Sequence, residues 1–109
     1  MALDVTRFRK LVAMDDSDAL SRFALGQALF QQGDSREALN EAAEHLLFAN
    51  AKGPDHLATY HVLGQVLIKL GLKDEARAIL QVGSTKAAGV GAGMGHDLGP
   101  AMATLLETL

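Results

Sequence analysis

The pattern Leu25-Gly26-x-x-Leu29 returns as Leu63-Gly64-x-x-Leu67, with a second glycine seven residues on in both copies (Gly33, Gly71) and an alanine five after that (Ala38, Ala76). Apolar residues at helical spacing, with small residues at matching points, predict paired helices so close that a larger side chain would clash. Gly64 and Ala76 are expected to face each other at such a crossing, where overpacking costs about 1 to 3 kcal/mol. The repeat prescribes how the chain is built and points to a binding surface, but nothing in it names a partner.

Local signals divide the rest of the chain. Residues 3–14 read as an amphipathic helix with Val5, Phe8, Leu11 and Val12 on one side and Arg7, Arg9 and Lys10 mostly on the other. Asp15, Asp16, Ser17 and Asp18 then break the helix and offer N-cap oxygens to the next. Gly33 ends that helix and Asp34 or Ser35 starts its partner, with Glu37 three after Asp34 as in a capping box. Gly53-Pro54 and then Gly71 with Asp74 repeat this punctuation. Beyond Arg77 the only charges are Lys86, Asp97 and Glu107, and six of the eleven glycines fall between Gly83 and Gly99. Residues 89–96 carry too much backbone freedom to continue a helix, so a loop is expected there. Gly99-Pro100 opens a last helix, in which Met102, Leu105, Leu106 and Leu109 recur at i, i+3, i+4 and i+7.

The spacing resembles the tetratricopeptide repeat, whose first helix reads aromatic-x-x-Leu-Gly-x-x-Tyr and whose second reads Ala-x-x-x-Phe before an exit proline. Tyr60 fills the opening aromatic position of the second copy, whereas Arg22 stands there in the first; Leu29 and Leu67 replace the tyrosine. Gly26 and Gly64 are 38 residues apart, against about 34 in the family. Pro54 lies ten residues before Gly64, and counting back from it puts Leu46 in the phenylalanine position and Ala49 in the small position after it. The four extra residues are thereby expected between Ala38 and Leu46. They add about one helical turn, which preserves the buried face to within roughly 40 degrees, so a longer helix is expected and not a bulged loop. Gly83 matches Ala49, so its smallness should serve helix packing. Phe8 precedes Gly26 by the 18 residues that separate Leu46 from Gly64, so the opening helix resembles the second helix of a degenerate earlier repeat.

The resemblance covers residues 17–88. It implies an all-α fold: a right-handed α-solenoid of antiparallel helical hairpins in a single domain, 1–109. Its parts would be an opening half-repeat helix at 3–14, repeats at 17–52 and 54–88, the glycine-rich loop at 89–96 and a capping helix at 97–109, covering the last repeat as a solenoid requires. It also implies a non-enzymatic protein–protein interaction module whose first helices line a concave groove for a peptide or helix of a partner protein. By register, the groove residues are Phe23, Gln27, Phe30 and Gln31 in the first copy and His61, Gln65, Ile68 and Lys69 in the second. Some members grip a C-terminal carboxylate there with lysine and asparagine; here Phe23, Gln27, His61 and Gln65 occupy the key points, which favours a more apolar partner. The competing reading of Phe23, Phe30 and Ile68 is burial beneath a terminal helix. A self-assembling scaffold using its end faces or glycine-rich part is the alternative function, and a small enzyme or ligand carrier the third.

Composition narrows these classes. Hydrophobic residues make up 49% of the 109 and charged residues 21%, the balance of a folded globular chain. The net charge is −3, and the one basic run, Arg7-Phe-Arg9-Lys10, is bracketed by Asp4, Asp15 and Asp16, so no nucleic-acid footprint is read. Zero cysteines exclude disulfides and thiolate sites. No stretch approaches ~18 consecutive apolar residues and the charged opening lacks a signal-peptide core, so a cytoplasmic protein without a membrane partner is expected. The glycines at 89, 91, 93 and 95 cannot be fitted to G-x-G-x-x-G, and no Gly-Lys-Ser/Thr follows, which argues against a nucleotide. Of His45, His56, His61 and His96, the pair five apart diverges by about 140 degrees on a helix, and no metal-ligand spacing is present. Glu37, Glu41 and Glu44 read as the solvated face of a long helix. No catalytic, cofactor or metal residues are assigned.

Overall fold

A computed structural model describes residues 4–33, 35–89 and 98–109. These residues form six helices and no strand: α1 Val5–Met14, α2 Ala19–Gln32, α3 Arg36–Lys52, α4 Leu57–Lys69, α5 Lys73–Gly89 and α6 Leu98–Glu107. The chain divides into two compact units, Met1–Pro54 and Asp55–Leu109.

In the first unit α2 and α3 form a hairpin closed on a glycine. A methyl carbon added to Gly26 would stand 2.7 Å from Leu46 Cγ and 3.2 Å from the Ala42 carbonyl oxygen, so only hydrogen fits there. Leu25, Ala28, Leu39, Ala42, Leu46 and Ala49 are buried around the crossing. Ser35 caps α3 by accepting the Ala38 N–H at 3.1 Å, and Glu37 and Lys52 in the first and last turns of α3 complement its dipole. Asp4 caps α1 by accepting the Arg7 N–H. That helix packs on α2 without burying any residue fully: Val5, Phe8 and Val12 are half-buried, whereas Leu11 and Met14 are exposed.

The second unit repeats the hairpin with α4 and α5 and adds α6 against both. An added methyl at Gly64 would overlap Leu80, standing 2.7 Å from its Cγ. At Gly83 it would stand 2.6 Å from both Tyr60 Cβ and Met102 Sδ, so this one position lets α4 and α6 close on α5. Leu57, Tyr60, Leu80, Ala87 and Met102 form a core cluster of the unit, with Leu98, Leu105, Leu106 and Leu109 of the last helix and its C-terminal end packed against it. The α4–α5 turn is a Schellman motif: Gly71 N–H donates to the Ile68 carbonyl at 3.0 Å, Leu72 N–H to the Leu67 carbonyl at 2.9 Å, and Gly71 has φ +81°.

These contacts refine the repeat register. Leu80, not Ala76, is the side chain pressed on Gly64; Ala76 lies one turn earlier on the same face of α5. The counterpart of Ala76 is Ala42 and not Ala38, since Ala42 and Ala76 are both wholly buried while Ala38 is only half-buried. Leu46 and Leu80 occupy matching places 34 residues apart, whereas Gly26 and Gly64 are 38 apart. The excess is helical: α2 is one residue longer than α4, and α3 reaches its contact leucine three residues later than α5 does. Yet α3 is not the longer helix, because both have 17 residues and α5 runs further past its contact. Two punctuation signals read differently. Ser35 rather than Asp34 is the N-cap of α3, so Glu37 is out of place for a capping box. Pro54 lies outside α4, which His56 opens after a turn at residues 54 and 55. The expected loop at 89–96 lies outside the described residues except for Gly89, the last residue of α5.

Candidate functional site

The four residues selected on each first helix share one helical arc. At 100° per residue, Phe23, Gln27, Phe30 and Gln31 span about 100° of α2, and His61, Gln65, Ile68 and Lys69 span the same on α4. On α2 the buried residues Leu25, Gly26, Ala28 and Leu29 occupy the opposite side, leaving Phe23, Gln27 and Phe30 half-buried and Gln31 exposed. This amphipathic division arises because the hairpin needs only one stripe of α2, so two aromatic rings stay partly accessible beside two amides.

The α4 arc is narrower in what it offers. Ile68 is half-buried and packs one side against the core of its unit. Gln65 Nε2 lies 3.0 Å from His61 Nε2. Because an amide nitrogen can only donate, the ring nitrogen accepts, and His61 is neutral in this arrangement. Partial burial acts in the same direction, holding its pKa below the ordinary histidine value. Lys69 is exposed at the end of the helix. Aromatic faces and amides suit contact and hydrogen bonding with another chain.

A second constellation, in the first unit, escaped the sequence reading. Arg9 of α1 makes a two-pronged ion pair with Glu41 of α3, one arm at 2.9 Å. The same carboxylate accepts from His45 Nε2 at 3.3 Å. His45 Nδ1 lies 3.3 Å from Arg22 Nη1 of α2, and Arg22 donates through Nε to the Asp16 carbonyl at 2.8 Å. The guanidinium carbon sits 4.2 Å from the centre of the Phe48 ring, within cation–π range. The Arg9 hydrogen bond is the main reason the Glu41 pKa falls below its usual value; burial opposes this and His45 assists. Glu41 is therefore a tie between helices and not, like the exposed Glu37 and Glu44, part of a solvated face. The available signal was Arg22 itself, standing where the second copy has Tyr60.

The remaining histidine of the described helices, His56, bonds through Nδ1 to Thr59 Oγ1 at 2.8 Å at the start of α4. Among the described residues, no group of three or more His, Cys, Asp or Glu is placed to hold a metal ion, and no helix is long and apolar enough to cross a membrane.

Against known proteins, the family model described as anaphase-promoting complex, cyclosome, subunit 3 matches residues 5–82. No curated protein and no solved structure matches the chain.

Proposed function

Because the chain belongs to the family of the anaphase-promoting complex, cyclosome, subunit 3, a family of tetratricopeptide-type helical repeats, we propose that it is a non-enzymatic module that recognises a peptide or helix of a partner protein. The recognition elements are the first-helix arcs of its two repeats: Phe23, Gln27, Phe30 and Gln31 on α2, and His61, Gln65, Ile68 and Lys69 on α4. Such a family implies protein–protein interaction in general, and a family named for a subunit of a larger complex agrees with a role in binding other proteins. The observation that carries the finer reading is the pair of half-buried rings, Phe23 and Phe30, on the arc of α2 opposite its fully buried stripe. Aromatic anchors of this kind commonly carry about 2 kcal/mol or more of binding when truncated. Gln27 and Gln65 set register by hydrogen bonding, and Lys69 acts mainly on association rate and salt dependence.

The test is selection of binding peptides from a random library on the full chain, followed by affinity measurement on point variants. Phe30→Ala is expected to weaken the selected peptide about 30-fold, equivalent to about 2 kcal/mol, with the circular dichroism spectrum unchanged. Lys69→Ala should leave affinity at high salt nearly intact. Unfolding by Phe30→Ala would make that ring a core residue; an unaltered affinity in both variants would move recognition away from these arcs.

A further inference from the structure

The network around His45 has only one consistent proton arrangement. An arginine nitrogen can only donate, so His45 Nδ1, 3.3 Å from Arg22 Nη1, is an acceptor. The Glu41 carboxylate can only accept, so His45 Nε2, 3.3 Å from Glu41 Oε2, carries the proton. The ring bridges a cation on α2 and an anion on α3 as the neutral Nε2–H tautomer. The charged groups facing it are Arg22 from α2, Glu41 from its own helix and, across Glu41, Arg9 from α1.

A second proton, taken from water, can go only to Nδ1. There it replaces the lone pair that Arg22 uses with an N–H, and sets an imidazolium against a guanidinium at hydrogen-bond distance. On the other side the charged ring holds Glu41 more strongly. We propose that His45 is a proton-operated joint: one added proton ejects Arg22 from the ring while the Arg9–Glu41 tie stays closed, so acid breaks this polar link between α2 and α3 before it opens the tie to α1. Arg22 keeps two other supports, the Asp16 carbonyl at 2.8 Å and the Phe48 ring, so the helix does not lose its place when the contact breaks. The α1 tie opens only when Glu41 itself takes a proton, and Arg9 holds that carboxylate below its usual range.

The experiment is a pH titration of the full chain, labelled with nitrogen-15 and followed by NMR. At high pH His45 Nδ1 should resonate as an unprotonated nitrogen and Nε2 as a protonated one. On acidification the Arg22 Nε–H signal should shift with the midpoint of the His45 ring, while the amides of residues 5–14 hold their positions until a lower pH. His45→Gln, whose amide can accept from Arg22 and donate to Glu41, should abolish the Arg22 step and leave the later α1 step in place. The opposite tautomer at high pH, α1 amides that move together with His45, or an Arg22 step that persists in His45→Gln would each overturn the proposal.

Discussion

Arg22 and Tyr60 stand at the same point of the repeat, four residues before Gly26 and Gly64, and the two units hold that point by different physics. In the second unit the aromatic position is filled by Tyr60, only 3% exposed, and Gly83 of α5 lets it meet Met102 of α6. In the first unit an arginine replaces the ring and borrows one from α3, stacking on Phe48 while His45 and the Asp16 carbonyl take its hydrogen bonds. The flanking helices follow suit. Met102 is wholly buried, whereas α1 buries no residue fully and is tied by Arg9 to Glu41. One repeat pattern thus supports an apolar closure and a polar one, and the polar closure depends on protonation.

The largest expected contrast lies in the flanking helices. Met102→Ala should cost about 3 kcal/mol, the middle of the range for emptying a buried methionine site. Phe8→Ala on α1 should cost about 1 kcal/mol, because the ring is only half-buried and its site can fill with water. Equilibrium denaturation of the full chain measures both, and equal losses would erase the distinction between the two closures.

Next comes the glycine at the three-helix contact. Gly83→Ala should destabilise by about 2 kcal/mol, despite a helix-propensity gain of about 1 kcal/mol. Its new methyl meets Tyr60 Cβ, which the α4 backbone fixes in place. Gly64→Ala should lose about 1 kcal/mol, since it meets the branched end of Leu80, which can turn aside. A Gly83→Ala variant as stable as the parent would mean that α6 is not seated through this contact.

The difference between the units also marks what could be read from the sequence. Glycine, alanine and leucine at fixed spacing announce a hairpin because close packing forbids alternatives at those positions. The helices and the packing role of Gly83 were legible for that reason; the four-residue excess was legible as a count but not in its place, because one residue of it lies in α2 and α3 is no longer than α5. The Arg9–Glu41–His45–Arg22 chain was not, because its links between helices join residues 32 and 23 apart in sequence, and only Glu41–His45 keeps a helical spacing. Equal spacing from the hairpin glycine pairs Ala38 with Ala76, but the inserted turn shifts the buried alanine to Ala42. On the candidate arcs, the position of each residue followed from helical period. That Ile68 also packs against the core of its unit is a tertiary contact that no spacing specifies.

A smaller effect separates the units by pH. Glu41 has a lowered pKa in the folded chain, so its contribution is present above the ordinary carboxylate value of ~4.3 and is lost as pH falls through the lowered one. His61 is also lowered, by burial. The unfolded chain therefore takes up that proton first, and stability declines once pH drops below the ordinary histidine value of ~6.5. Arg9→Gln should cost about 1 kcal/mol or less at neutral pH, as expected of a partly exposed pair, and should flatten the acid limb. His61→Gln should remove the limb that starts near pH ~6.5. Denaturation midpoints across pH 3 to 8 would overturn the assignment if Arg9→Gln left the acid limb unchanged.

The smallest contrast lies in the turns, where identical residues stand at matching positions with different backbones. Gly71 has φ +81° and completes the Schellman turn after α4, a conformation that an L-residue with a Cβ resists. Gly33, seven residues after its own hairpin glycine, has φ −166° and ψ 160°, extended backbone open to any residue, and an added methyl would meet nothing within 4 Å. Gly71→Ala should therefore destabilise by about 1 kcal/mol, while Gly33→Ala should be neutral or stabilise by about 0.5 kcal/mol through a less flexible unfolded chain. Thermal melts of the two variants, read side by side, show a fall for Gly71→Ala alone if the two turns differ as described. If Gly33→Ala falls as far as Gly71→Ala, the first turn also needs a left-handed residue, and the units are more alike at their turns than at their flanking helices.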